Sequence, residues 1–223
     1  MSSLWLGIET SRSRGGAALI KDDRPLAEER FPVMAVHSQV LLPCIQSLVE
    51  SSGVHGRDID GIAVSAGPGS YTGLRIGIAT ALGLAHGWKI GVVPVETLRI
   101  LAYAAGEGGP VLVCVRARSN EVYAACYHDH QPASVELITP GIYTSDAVLQ
   151  RIRSMGELRA LGSGIREMEL PHSVLPLPEE LDEPSPCGAA LLGRMRASAE
   201  GFQRHPVPVY LRDFNERAES SVT

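Results

Sequence analysis

SAGPGSYTGLRIGIATALGLAHG, residues 65–87, runs from an apolar strand end through a glycine turn into a helix that contains Gly73, Gly77 and Gly83. Glycine inside a helix costs about 1 kcal/mol relative to alanine, so an interaction elsewhere must offset its use here. Gly73, Gly77 and Ala81 recur every four residues and form a groove of small side chains, with Leu74, Ile78 and Leu82 as an apolar ridge beside it. Such a groove admits the close approach of another segment. Spacing alone leaves two readings open: packing against the chain's own preceding helix, or packing against a helix of another subunit. Pairing inside a membrane is excluded, because Arg75 and His86 bound an apolar run too short to span a bilayer.

The turn that opens this helix, GPGSYTG, is a candidate phosphate loop through Gly67, Gly69, Ser70 and Thr72. Its glycines leave backbone N–H groups accessible, two hydroxyls stand beside them, and a helix N-terminus follows. No lysine follows the glycines, so it is not a P-loop.

Outward from this stretch, LWLGIE (4–9), GGAALI (15–20) and LAEERF (26–31) read as three strands joined by tight turns. HSQVLLPCIQSLVESSG (37–53) places Leu41, Ile45, Leu48 and Val49 on one helical face, with Ser38 as a cap, Gly53 as a stop and a kink expected at Pro43. GIAVSAG (61–67) is a buried strand, IGVVPV (90–95) another, and ETLRILAYAAG (96–106) a third helix. After the EGGP break at 107–110 the order begins again: strands at 111–117, 121–128 and 134–139, a helix at 146–154, a strand at 157–162 and a helix at 187–201. The pattern predicts an α/β protein of two related lobes, residues 1–106 and 107–223, the second abbreviated. The proline-rich span 170–186 is expected to be irregular, and the polar tail after Leu211 to be frayed.

Composition narrows the functional classes. The 223 residues carry a net charge of −5 with 44% hydrophobic and 20% charged residues, ordinary for a soluble globular chain. No basic run suggests autonomous nucleic-acid binding. The N-terminal apolar run lacks a preceding basic region and ends at Glu9, which argues against a signal peptide. Cys44, Cys114, Cys126 and Cys187 have neither zinc-ligand nor disulfide-framework spacing, and a cytoplasmic location is expected.

AGPGSYTGLRIG, together with IETS, HSQVLLPCIQSLVESSG, PVET, RARSNEVYAACY and PVYLR in this order from Leu4 to about Arg212, resembles the TsaB (YeaZ) family. The resemblance implies a two-lobed actin-like ATPase and sugar kinase fold, related to ribonuclease H. It further implies a bacterial subunit needed to form N6-threonylcarbamoyladenosine at adenosine 37 of tRNAs reading codons that begin with A. The implied partners are the paralogous catalytic subunit TsaD, the ATPase TsaE, and TsaC as the source of threonylcarbamoyl-adenylate. Contact with tRNA would come only through the complex, with a homodimer when the chain is alone and no membrane association. No cofactor is expected for the isolated chain; ATP and metal would belong to the partner subunits.

The paralogous enzyme carries a His-x-x-x-His metal pair after a similar Pro-Val strand end. Here those positions are Thr97 and Leu101, and leucine cannot coordinate a metal. The fold usually ends its first strand with an Asp that handles metal-bound phosphate; Glu9 stands there. His37 has no second His or carboxylate at ligand spacing, His128 and His130 alternate on a strand end and read as solvent-exposed, and no G-x-S-x-G elbow supports a protease. Arg116 occupies a place where relatives commonly carry Asp, while Arg118, Glu121 and Tyr123 match them. The expectation is a non-catalytic subunit that pairs through Leu41, Ile45, Leu48, Gly73, Leu74, Gly77, Ile78 and Ala81. The rivals are a nucleotide-dependent kinase or phosphotransferase using GPGSYTG and Glu9, and a small-molecule regulator binding between the lobes.

Overall fold

The structure is a computed structural model that describes residues 3–31, 36–131 and 133–202. Its elements are β1 (Leu4–Glu9), β2 (Gly16–Lys21), β3 (Arg24–Arg30), α1 (His37–Ser51), β4 (Gly61–Gly67), α2 (Tyr71–Trp88), β5 (Gly91–Glu96) and α3 (Thr97–Ala104). There follow β6 (Val111–Arg118), β7 (Glu121–Tyr127), β8 (Glu136–Thr144), α4 (Ser145–Ile152), β9 (Leu158–Leu161), β10 (Val174–Pro176) and α5 (Pro186–Glu200). The strands form two five-stranded sheets, ordered β3-β2-β1-β4-β5 and β10-β9-β6-β7-β8. In each, the first three strands form an antiparallel meander and the last two add in parallel. The repeated order read from the sequence is therefore a repeated topology.

Strands β1 and β4 are buried along their whole length, as expected where helices cover both faces of a sheet. Helices α1 and α2 pack on one face through Leu41, Ile45, Leu48, Ile78 and Ala81. Helix α5 covers the other face, with Ala189, Ala190 and Leu192 against Trp5, Ala63 and Val93. A Cβ on Gly7 would strike the Pro186 carbonyl oxygen, so the glycine in β1 sets how closely this helix lies. The helix read at 187–201, placed by sequence order in the second lobe, thus packs on the first sheet. Helix α3 faces the second sheet, where Leu98 and Leu101 join Val113, Val115 and Tyr127. Val148 and Ile152 of α4 cover that sheet's other side.

Several expectations change. Val36, not Ser38, precedes α1, and it gives no side-chain cap. The helix continues through Pro43 to Ser51, and Gly53 follows at φ +66°. The strand read at 134–139 runs on through Pro140 to Thr144, tolerated because β8 is an edge strand. The proline-rich span holds β10 and a 3-10 turn, Glu179–Asp182. PVYLR and the polar tail lie outside the described residues. No helix among those described is long and apolar enough to cross a membrane.

The link between the halves is held by one side chain. Arg159 of β9 donates to the carbonyl oxygens of Ala105 (2.7 Å), Glu107 (2.7 Å), Gly106 (2.8 Å) and Gly109 (3.2 Å).

Candidate functional site

The glycine groove faces inward. A Cβ on Gly77 would strike Thr10 Oγ1, and one on Gly73 would strike the Thr10 carbonyl oxygen. The small residues of α2 therefore let the end of β1 tuck beneath the helix. Leu41, Ile45, Leu48, Leu74, Ile78 and Ala81 are at most 5% exposed, and Gly73 and Gly77 are buried too. This corrects the expected interface: all eight residues sit inside the chain's own fold, where burial against β1 and its neighbours removes them from any partner's reach. The helical period found the apolar face but could not say what covered it.

The turn is a joint as well. Ser70 caps α2 by accepting the Gly73 N–H at 3.2 Å. The Ser70 N–H is given to the Ser11 carbonyl at 2.7 Å, and a Cβ on Gly69 would strike that same oxygen. Gly67 sits at φ +106° where β4 ends. Two of the N–H groups expected to face an anion, those of Ser70 and Gly73, are thus committed inside the chain, while Thr72 is exposed.

Beneath the joint lies a buried polar cluster. Glu9 is 0% exposed; its Oε1 accepts the Ser11 N–H at 2.6 Å, while Oε2 has no partner. Burial pushes its pKa up to about 7, opposed by Ser11, by the nearby Ser65 hydroxyl and by the charge of Arg30. Thr10 Oγ1, Ser11 Oγ and Thr97 Oγ1 are also buried without partners. Arg12 crosses to the second half, donating to Ser163 Oγ at 2.9 Å, and the same oxygen accepts the Arg116 N–H at 3.2 Å. The Arg116 side chain pairs with Glu167 at the surface.

The remaining singled-out residues do not converge. Leu101 is core. His37 begins α1 against Phe31, with ring centroids 5.0 Å apart. His128 is 3.5 Å from Asp129, and His130 lies by the Tyr103 ring. Among the described residues, no group of three or more His, Cys, Asp or Glu side chains could hold a metal ion.

The outward side of the helix pair carries a different stripe. On α2, Thr72, Ala79, Gly83 and Gly87 are exposed and Ile76 is half-buried; among the described residues, nothing lies within 4 Å of a Cβ built on Gly83 or Gly87. These positions lie close to one helical line. On α1, Leu42 is 52% exposed, beside Gln39, Pro43 and Gln46. At these positions the helix pair offers uncharged, partly apolar surface. Arg75, at its side, is held by the Tyr71 hydroxyl at 2.8 Å.

The comparisons with known proteins agree with this architecture. A family model described as "TsaD: tRNA N6-adenosine threonylcarbamoyltransferase" matches residues 33–158. The tRNA threonylcarbamoyladenosine biosynthesis protein TsaB of Escherichia coli (strain K12) is 34% identical over 165 residues, 71% of this chain and 71% of that protein. The solved structure of YeaZ from Pseudomonas aeruginosa superposes with a TM-score of 0.79 at 27% identity, over 94% of this chain and 100% of that one. A ROK hexokinase from Thermus thermophilus, at TM-score 0.50 and 11% identity over 89% and 100% of the two chains, shares the fold alone. The topology is the two-lobed one of actin-like ATPases and sugar kinases, and the chain belongs to the TsaB (YeaZ) family of tRNA threonylcarbamoyladenosine biosynthesis proteins.

Proposed function

We propose that this chain takes part in the formation of N6-threonylcarbamoyladenosine at adenosine 37 of tRNA as a non-catalytic cytoplasmic subunit, paired with a TsaD-like catalytic subunit and served by a TsaE-like ATPase. The observation that carries the reading is the outward stripe of α2, Ile76, Ala79, Gly83 and Gly87, which keeps glycine at positions where no other described residue uses the space. A partner helix could lie against this line at short interaxial distance, with Leu42 of α1 as an apolar anchor. Without the catalytic subunit, the same surface would pair two copies of the chain. Leu101, at one of the positions of the enzyme's histidine pair, is fully buried core, which supports leaving metal chemistry and ATP to the partners.

The test reconstitutes tRNA modification from purified components with and without this chain, and with Gly83→Leu. Omission should reduce modification greatly. Gly83→Leu should keep the melting temperature of the parent yet lose binding to the TsaD-like subunit in a pull-down. Undiminished modification without the chain refutes the role; normal pairing by Gly83→Leu refutes the surface.

A further inference from the structure

The linker between the halves is wrapped around a single guanidinium. Arg159 Nη1 donates to the Ala105 and Glu107 carbonyls and Nη2 to those of Gly106 and Gly109, while its backbone N–H goes to the Pro110 carbonyl at 2.9 Å. One residue of β9 thus holds every carbonyl oxygen from 105 to 110 except that of Gly108. Gly106, Gly108 and Gly109 stand at φ +67°, +131° and +88°, and a Cβ on Gly108 would come within 3.1 Å of Arg159 Cζ. A link this rich in glycine has the most backbone freedom to lose. Left to itself it would serve as a hinge; the fork of donors fixes it.

Arg159 is one of three arginines that reach across the seam. Val111 pairs with Arg159 and Val113 with Leu161, so Arg159 lies level with the start of β6. Toward the other end of that strand, Arg12, just past β1, donates to Ser163 Oγ at 2.9 Å, and the same oxygen accepts the Arg116 N–H. The run of β6 from Val111 to Arg116 puts these two ties about 17 Å apart. The third tie lies to the side. Arg99 of α3 donates to the Ser134 carbonyl at 3.0 Å and to Glu136 Oε1 at 3.1 Å, at the edge strand β8, two strands and about 10 Å from β6. Its guanidinium lies 4.0 Å from the centre of the Tyr127 ring. Packing does not fill the seam there, since a cavity of about 490 Å3 opens beside Glu96, between α5, the β5–α3 junction and the loop that leads into β8. Two ties define an axis about which the halves could still turn; a third placed off that axis stops the turn.

We propose that these three arginines shut the hinge at residues 105–109, so that the two halves form one rigid body and the protein neither opens nor closes about its linker. The outer helix pair and the second sheet then keep a fixed relation to one another. A ligand between the halves could not draw them together without breaking the arginine ties.

The experiment uses the full chain with spin labels on cysteines introduced at two exposed sites, Ser47→Cys on α1 and Gln150→Cys on α4; the native cysteines are buried. A control pair, Ser47→Cys with Lys21→Cys, lies within the first half. Labelled protein is diluted with unlabelled protein, so that only distances within one molecule are read. The distance distribution across the halves should be as narrow as that of the control, a result that needs no change at any of the three arginines. In Arg159→Ala it should become at least about twofold wider. Arg159→Lys should not restore it, because an ammonium on a flexible stem cannot serve four carbonyls set around a planar fork. Hydrogen exchange separates a released linker from a loosened fold: in Arg159→Ala the Gly106 N–H, given to the Tyr103 carbonyl at 3.2 Å, should exchange at least about tenfold faster while Leu112 of β6 keeps the parent's rate. A parent distribution wider than the control, a folded Arg159→Ala protein as narrow as the parent, or recovery in Arg159→Lys would each overturn the assignment.

Discussion

The two sides of α2 use the same kinds of residue for opposite ends. On the inner side, the space a Cβ would need at Gly73 and Gly77 is taken by Thr10, just past β1, and Ala81 is fully buried. On the outer side, Ala79, Gly83 and Gly87 are exposed, and no described residue approaches the two glycines. The difference teaches that a small-residue stripe has no meaning until something is known about what faces it. The inner stripe is part of how the chain folds; the outer one has no use among the described residues.

The largest test of this contrast lies under the inner face. Glu9, with a pKa near 7 in the fold against 4.5 for an ordinary glutamate, holds its proton more tightly folded than unfolded. Its contribution therefore favours the fold most at low pH and is lost as pH rises from about 4.5 through 7, by about 3 kcal/mol in all. Glu9→Gln should remove that slope and melt at a higher temperature than the parent at pH 8. Denaturation at pH 5 and pH 8 checks it, and parallel pH dependence of the two proteins would contradict a buried, raised Glu9.

Next in size is Gly77→Leu. Leucine favours the helix locally, but its side chain must displace Thr10, and overpacking of this kind costs about 2 kcal/mol. Loss of partner binding would then merely follow loss of fold, unlike the stable, non-pairing Gly83→Leu. A Gly77→Leu protein with the parent's urea midpoint would break the assignment of the inner face. A finer probe couples the two contacting residues. Gly77→Ala should be less damaging in a Thr10→Ala background, with an interaction energy of about 1 kcal/mol measurable by a double-mutant cycle; strict additivity would mean that the two do not touch. The smallest effect belongs to the outer face: Gly83→Ala, in open space, should stabilise the isolated chain by somewhat under 1 kcal/mol. A destabilised Gly83→Ala would show that something already packs there.

Local pattern made much of this fold legible. The buried runs LWLGIE and GIAVSAG and the apolar face of residues 37–53 state their own structure, and the two strand–helix successions announce a duplicated topology. Contacts between distant segments were not legible. Thr10 gives no sign in the sequence that it lies under Gly77, and so the inner stripe reads as readily as an interface. In α5, small residues such as Gly188, Ala189 and Ala190 make the helix easy to find but leave open which sheet it covers. Strand β10 is three residues of a proline-rich span, fixed by parallel pairing to β9 rather than by its own alternation. The cavity beside Glu96 draws its walls from three separated stretches, and no spacing rule brings those together.

The path of α5 has a consequence for synthesis. Because residues 186–200 cover the face of the first sheet formed by Trp5, Ala18, Ile20, Ala63 and Val93, that face has no cover while the chain is still shorter than this helix. The first sheet, made before α5, must wait with one apolar side open until residues 186–200 have emerged from the ribosome. Stalled nascent chains of increasing length should resist protease in this sheet only once α5 has cleared the exit tunnel; full resistance in shorter chains would contradict the waiting. An α/β unit that looks self-contained in sequence order is thus closed by a helix made long after it, and a premature stop anywhere before α5 would leave a sticky half-molecule in place of a smaller working one.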